Sequence, residues 1–272
     1  MSRITQTMAA LRAAQRKVLI PYLVAGDPDK GTTLGLMHAL VAAGADIIEL
    51  GIPFSDPSSD GTVIQQGAER ALREGTTLHD VMDIVRQFRA HDAHTPIVLM
   101  GYLNPIEIMG YEAFASAAQA VGADGVLIVD MPAYECEELF DSVRPRGLDT
   151  VFLVAPTTTQ ARLASICASS TGYLYYVSLK GVTGAAITDK GDIKSKIEHL
   201  RTMTDLPVVV GFGIKDATSA VDMASISDGV IVGSALVDAI SRLPRGGVAT
   251  QDHLTAAVSV IASIRSAIDN IK

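Results

Sequence analysis

Eight short apolar runs, separated by helix-patterned stretches, constrain the fold of this chain more than any other feature. They read VLIPYLV (18–24), DIIELG (46–51), PIVLMG (96–101), DGVLIVD (124–130), DTVFLVA (149–155), YLYYVS (173–178), PVVVG (207–211) and DGVIV (228–232). Most are continuously apolar rather than alternating, as expected of parallel strands covered on both faces. Between them, segments 31–43, 78–90, 111–121, 134–144, 159–169, 192–204 and 216–225 repeat Ala, Leu, Val and Ile at helical spacing, with charges opposite. Thr159 and Asp216 look like helix caps, and Gly44 and Gly122 like stops. Eight β-then-α units specify a closed (β/α)8 TIM barrel better than an open doubly wound sheet. The open sheet usually has fewer strands and a glycine-rich fingerprint after the first. Here the first strand ends in Ala25-Gly26-Asp27-Pro28, which is no dinucleotide fingerprint. Residues 3–15 form an extra N-terminal helix with Ile4, Met8 and Leu11 on one face, expected to plug the amino end of the barrel. One domain spanning 1–272 is expected, since a barrel of this kind fills such a length alone.

Composition narrows the function. A net charge of −8 argues against nucleic acid as the main partner, because phosphate contacts need clustered Lys and Arg. An anionic small molecule stays possible, since backbone N–H groups can bind it locally. No signal peptide is visible at the N-terminus, and no run reaches the ~18 apolar residues of a membrane helix, so no membrane partner is expected. Cys136 and Cys167 have no motif spacing; they read as small apolar residues in a reducing cytoplasm. His38, His79, His91, His94, His199 and His253 lack ligand spacing, and no metal is expected.

The candidate chemistry lies at the carboxyl ends of the strands, where barrels of this kind work. Glu49 ends the second apolar run, and Asp60 lies beyond a Gly/Pro-rich loop eleven positions later. A charge at an apolar strand end is costly unless it has a role. Two such carboxyls suit acid–base chemistry when unlike surroundings push their pKa values apart. By spacing alone, two solvated loop acids fit equally well. Tyr22, Met100, Tyr102, Leu127, Val129, Asp130 and Tyr175 come from other strands or strand ends and suggest a mostly apolar pocket for a flat aromatic ligand. Gly211-Phe212-Gly213 and Gly233-Ser234 follow the seventh and eighth runs, and Gly184 lies in the loop after the sixth. Loops at these places commonly hold a phosphate. The long connections 52–61 and 179–191 follow strands and are candidate lids. Lys180, the nearest candidate Schiff-base former, sits in the second of these and reads as a solvated residue.

The block Glu49-Leu-Gly-Ile-Pro-Phe-Ser-Asp-Pro-Ser-Ser-Asp60-Gly61 resembles the signature of the tryptophan synthase alpha family. Pro21-Tyr22, Ala25-Gly26-Asp27-Pro28, Gly101-Tyr102-Leu103-Asn104-Pro105, Asp130-Met131-Pro132, Gly181-Val182-Thr183-Gly184, Gly211-Phe212-Gly213-Ile214 and Gly233-Ser234-Ala235 follow in the family's order and spacing. The resemblance implies a TIM barrel that reversibly cleaves indole-3-glycerol phosphate to indole and glyceraldehyde 3-phosphate. It further implies Glu49 as general acid and base, Asp60 as acceptor from the indole N–H, and Tyr175 as a positioning group. Gly184, Gly213, Gly233 and Ser234 would bind phosphate, and Thr183 would act in the lid. The implied partner is the tryptophan synthase beta subunit in an α2β2 assembly. It would dock on Pro53, Asp56, Pro57, Asn104 and Pro105. No cofactor is expected on this chain, with pyridoxal phosphate only on the beta subunit. The chain departs from the family at Ser58-Ser59, Thr62, Leu179-Lys180 and Val24, without loss of a catalytic group. Alternatives are a stand-alone lyase releasing free indole, another phosphate-binding barrel enzyme, and a catalytically silent regulatory barrel.

Overall fold

The structure, a computed structural model, describes residues 2–178, 190–211, 213–244 and 249–271. Its strands are β1 (Val18–Val24), β2 (Ile48–Gly51), β3 (Ile97–Gly101), β4 (Gly125–Ile128), β5 (Asp149–Thr150), β6 (Phe152–Val154), β7 (Leu174–Val177), β8 (Val208–Gly211) and β9 (Gly229–Val232). All pairings are parallel, in the order β5-β4-β3-β2-β1-β9-β8-β7-β6. The two ends of that order, β5 and β6, are halves of one strand broken only at Val151. Val151 N–H donates to Val126 O of β4 at 3.0 Å, while Phe152 pairs with Leu174 of β7. The sheet therefore closes on itself. Each of the eight expected runs supplies one barrel strand, the fifth in two pieces.

Closure sorts the side chains into two apolar layers. Ile20, Ile47, Val98, Leu127, Val151, Tyr173, Tyr175, Val209 and Ile231 fill the barrel interior. Their chain neighbours, such as Leu19, Ile48, Leu99, Val126, Leu174 and Val230, pack outward under the helices. Helix α1 (Arg3–Ala13) places Ile4 and Met8 in the interior layer, with Leu11 against it, which plugs the amino end as expected. Ser2 caps this helix by accepting from Thr5 N–H. At the same end, Asp46 bonds Arg16 and Arg265, while Asp124 bonds Arg3 and Arg89.

The helices depart from the expected segments in places. Asp216 heads α10 (Ala217–Ala224) with a capping box, and Gly122 ends α6 (Tyr111–Val121) in the left-handed region. Thr159 stands at the N-cap of α8 (Gln160–Ser169) but makes no side-chain cap bond. Helix α3 (Thr62–Arg73) lies outside every expected segment. Its buried face, Ile64, Gly67, Ala68 and Ala71, recurs at helical spacing, but three of the four are Gly or Ala and the rest of the helix is largely polar. Helix α5 (Leu103–Met109) also escapes the pattern, with Pro105 tolerated in its first turn. The expected segments 31–43, 78–90, 134–144 and 192–204 correspond to α2 (Lys30–Ala42), α4 (Leu78–Arg89), α7 (Glu137–Val143) and α9 (Lys190–Arg201). Beyond β9 lie α11 (Ser234–Ile240), α12 (Gln251–Ala257) and α13 (Ser259–Ile268). Among the described residues no helix is long and apolar enough to cross a membrane.

Candidate active site

The two acids sit at different depths. Glu49 lies on β2 between Tyr22 of β1 and Val98 of β3, fully buried, on the inward face that Ile47 begins. The Tyr173 hydroxyl donates to Glu49 Oε1 at 2.6 Å, and Oε2 has no hydrogen-bond partner among the described residues. Burial pushes the Glu49 carboxyl up to about 8, the Tyr173 bond pulling the other way. Glu49 is thus mostly protonated at neutral pH. Asp60 lies higher, between the turn after β2 and the start of α3. The Tyr102 hydroxyl donates to Asp60 Oδ2 at 3.0 Å and accepts from Ser59 N–H at 3.1 Å. Phe54 stacks on Tyr102, 5.3 Å between centroids. Burial raises Asp60 to about 6, with the Tyr102 bond opposing, so it is mostly ionised at neutral pH. Two carboxyls in one barrel mouth therefore hold opposite protonation states.

Tyr175 and Tyr22 stand in the field of both acids. Each phenol is raised well above its ordinary value, chiefly by burial and then by both carboxylates. Glycines on the adjacent strands make room for these rings. A Cβ on Gly211 would lie 2.2 Å from the Tyr175 hydroxyl, and one on Gly51 would lie 2.4 Å from that of Tyr22.

A cavity of about 190 Å³ opens at this place. Tyr22, Asp60, Met100, Tyr175, Gly213, Gly233 and Ser234 all line it, so seven residues read from separate segments converge. Ile64, Ile214, Lys215, Ile231 and Ala235 line it as well, beyond the expected set. Tyr102 and Val129 line an adjoining crevice that shares Tyr22, Asp60 and Met100. Gly213 has φ +77, and a Cβ there would meet nothing within 4 Å among the described residues. Ser234 and Ala235 open α11, where helical N–H groups lack intrahelical acceptors. The chemistry available is an apolar slot with Asp60 and tyrosines at one end and helix-start N–H donors at the other; Glu49 is buried beside Tyr22 and lines neither cavity.

Some expected residues fall elsewhere. Leu127 packs fully buried in the barrel interior and lines neither cavity. Asp130 is exposed and accepts from Leu103 N–H at 2.8 Å, which holds the start of α5 rather than facing the slot. Pro53 is buried, so it shapes its loop and presents no surface, whereas Asp56 and Asn104 are exposed and Pro57 and Pro105 half-buried. Gly184, Thr183 and Lys180 lie outside the described residues. Tyr173 is absent from the expected set, although it sits two positions before Tyr175 and so shares its strand face.

The barrel and its mouth, with two raised carboxyls and an apolar cavity that ends at a helix start, have the form of a (β/α)8 barrel enzyme. Residues 8–266 match the family model described as tryptophan synthase alpha chain. The tryptophan synthase alpha chain of Thioalkalivibrio sulfidiphilus is 57% identical over 242 residues, covering 89% of this chain and 91% of that protein. That of Cupriavidus taiwanensis is 52% identical over 269 residues, covering 99% and 100%. The crystal structure of the alpha subunit from Legionella pneumophila str. Paris superposes with a TM-score of 0.90 at 43% identity, covering 100% of both chains. The chain belongs to the tryptophan synthase alpha chain family. It is a lyase of tryptophan biosynthesis that cleaves indole-3-glycerol phosphate, and its role as an alpha chain implies a beta-chain partner.

Proposed function

We propose that Glu49 and Asp60 divide the cleavage between them, each in the protonation state its surroundings impose. The observation that carries this reading is the pair of carboxyls, Asp60 held up to about 6 on the cavity wall and Glu49 held up to about 8, buried beside Tyr22, which lines the same cavity. Protonated Glu49 delivers its proton to indole C3, which turns the ring into an electron sink. As the bond to the side-chain carbon breaks, the carboxylate so formed takes the proton of the hydroxyl on that carbon. Ionised Asp60 accepts the indole N–H and stabilises the positive charge that develops there. Tyr175, between the two acids, positions the substrate. The phosphate lies on Gly213, Gly233 and Ser234, where backbone N–H groups and the Ser234 hydroxyl donate to it. Gly184 and Thr183, which lie outside the described residues, are the remaining phosphate-binding and lid groups of this reading. Exposed Lys215 at the cavity wall adds a positive charge at that end.

The chain acts as a single domain in the cytoplasm, in an α2β2 assembly, and carries no cofactor of its own. Pyridoxal phosphate belongs to the beta subunit, which consumes the indole. Docking at the catalytic mouth is supported by exposed apolar groups there. Ile108 on α5 is 79% exposed and Tyr134, after β4, is 66% exposed, and Asp56 and Asn104, in the segments after β2 and β3, are exposed as well. The test is indole release from indole-3-glycerol phosphate by the chain alone and after addition of a beta subunit. Slow release alone and a marked rise with the partner are expected. Full activity alone, with no binding or stimulation, replaces this reading with a stand-alone lyase.

A further inference from the structure

The loop that carries Asp60 is anchored mainly by Tyr102, whose hydroxyl meets Ser59 N–H and Asp60 Oδ2. Ser55, Asp56, Ser58 and Ser59 are exposed, and its end runs directly into α3 through the N-cap Gly61. Asp60 is held on one side by the Tyr102 hydroxyl and on the other by α3. That helix buries one large aliphatic side chain, Ile64, with Gly67, Ala68 and Ala71 making up the rest of its inner face. So smooth a face resists sliding weakly, and polar contacts supply the register. Arg70 Nε and Nη2 donate to Asp27 Oδ1 and Oδ2 at 2.7 and 2.8 Å. Asp27, in the turn after β1, is fully buried, and the Arg70 side chain is 10% exposed. A two-pronged guanidinium–carboxylate bond sets direction as well as distance. One turn earlier, a Cβ on Gly67 would lie 2.9 Å from Val237 of α11 and 3.2 Å from Asp27 Oδ2. Asp238 of α11 also acts on Arg70 through space. At the other end of α3, Gln65 Nε2 donates to Asp60 O at 2.8 Å.

We propose that the Asp27–Arg70 ion pair, with Gln65, positions the Asp60 carboxylate against the Ser234 end of the cavity. The pair ties the β1 turn, the Asp60 loop and α11 into one frame, so the two ends of a substrate meet groups at a set separation. Asp27 and Arg70 line neither cavity of the site, so they act through α3 rather than on substrate. The proposal rests on the reading of Asp60 as the group that stabilises developing charge.

The test compares the parent with Asp27→Asn/Arg70→Met, which removes both charges together, and with Gln65→Leu, which leaves the pair intact. Arg70→Met alone deprives buried Asp27 of its guanidinium and is expected to fold poorly, so it is not the deciding variant. With melting temperature nearly unchanged, kcat for indole release should fall by about tenfold or more while KM moves little, because small misplacements of a catalytic group cost rate rather than binding. Amide exchange at residues 58–61 of the Asp60 loop should speed up in both variants. Arg70→Lys, which keeps the charge without the fork, should recover only part of kcat. Folded variants with parental kcat and parental exchange overturn the proposal. So does a lowered melting temperature with unchanged kcat per folded molecule, which makes the pair purely structural. An inactive parent defeats the reading of the site instead. Exchange at 58–61 then still decides the clamp: faster exchange supports it, and unchanged exchange overturns it.

Discussion

Replacing Glu49 by Gln tests the environment of the acid as well as its chemistry. Gln is close in shape to the protonated carboxyl, and its Oε1 can still accept from Tyr173. The perturbation therefore removes only the ability to ionise. In the folded chain the carboxyl is held up to about 8 from an ordinary 4.5, because Glu49 is fully buried and Oε2 has no partner among the described residues. Between those two values the folded state holds a proton that the unfolded state has released. Folding stability thus falls as pH rises from about 4.5 to about 8, then levels off. At about 1.4 kcal/mol per tenfold change in proton affinity, the ceiling on this loss is about 5 kcal/mol. The amide of Glu49→Gln has no proton to release, so the variant escapes the loss. Urea unfolding of parent and variant at pH 5, 7 and 9 reads the difference directly. The two should nearly coincide near pH 5, with Glu49→Gln more stable by several kcal/mol, at most about 5, at pH 9. Indole release should be nearly abolished at every pH. Parallel pH profiles of stability would refute the buried, partnerless carboxyl, and near-normal turnover would refute its catalytic role.

Asp60→Asn should cut indole release by about 10² or more with the fold retained, since a positioned charge at the reacting ring is lost. In the parent, kcat/KM should rise with pH through about 6 as Asp60 ionises and fall above about 8 as Glu49 loses its proton; a flat profile over that range sinks the division of roles. Gly211→Ala should displace the Tyr175 hydroxyl, 2.2 Å from the added Cβ, and lower both turnover and melting temperature; a fully active, equally stable variant would show that the ring has room to move. Gly213→Asp should weaken binding of glycerol phosphate far more than it alters the melting temperature. Its Cβ meets nothing within 4 Å among the described residues, although φ +77 adds some strain, and unchanged affinity by titration calorimetry would remove the phosphate from this loop.

The barrel was legible in the chain because each strand of a parallel, doubly covered sheet must be apolar throughout, and eight such runs leave few architectures. The same uniformity hid which residues face inward. Ile47 and Glu49 point into the barrel and Ile48 and Leu50 away from it, yet nothing in that run distinguishes the two sets. Helix α3 does show Ile64, Gly67, Ala68 and Ala71 at helical spacing, but close packing against β1 and α11 keeps that face to small residues on an otherwise polar helix, so a repeat of Leu, Val and Ile does not mark it. Glu49 and Asp60 stood out as acids in unusual places, and the glycines of the cavity by their position after β8 and β9. Their chemistry did not. Glu49 meets Tyr173 across 124 positions and Asp60 meets Tyr102 across 42. Burial raises both carboxyls, and burial exists only once the strands have closed. Residue types and their order along the chain determined which groups could do acid–base work. Tertiary packing decided which of the two holds its proton, because desolvation is a property of surroundings that no local stretch of chain contains.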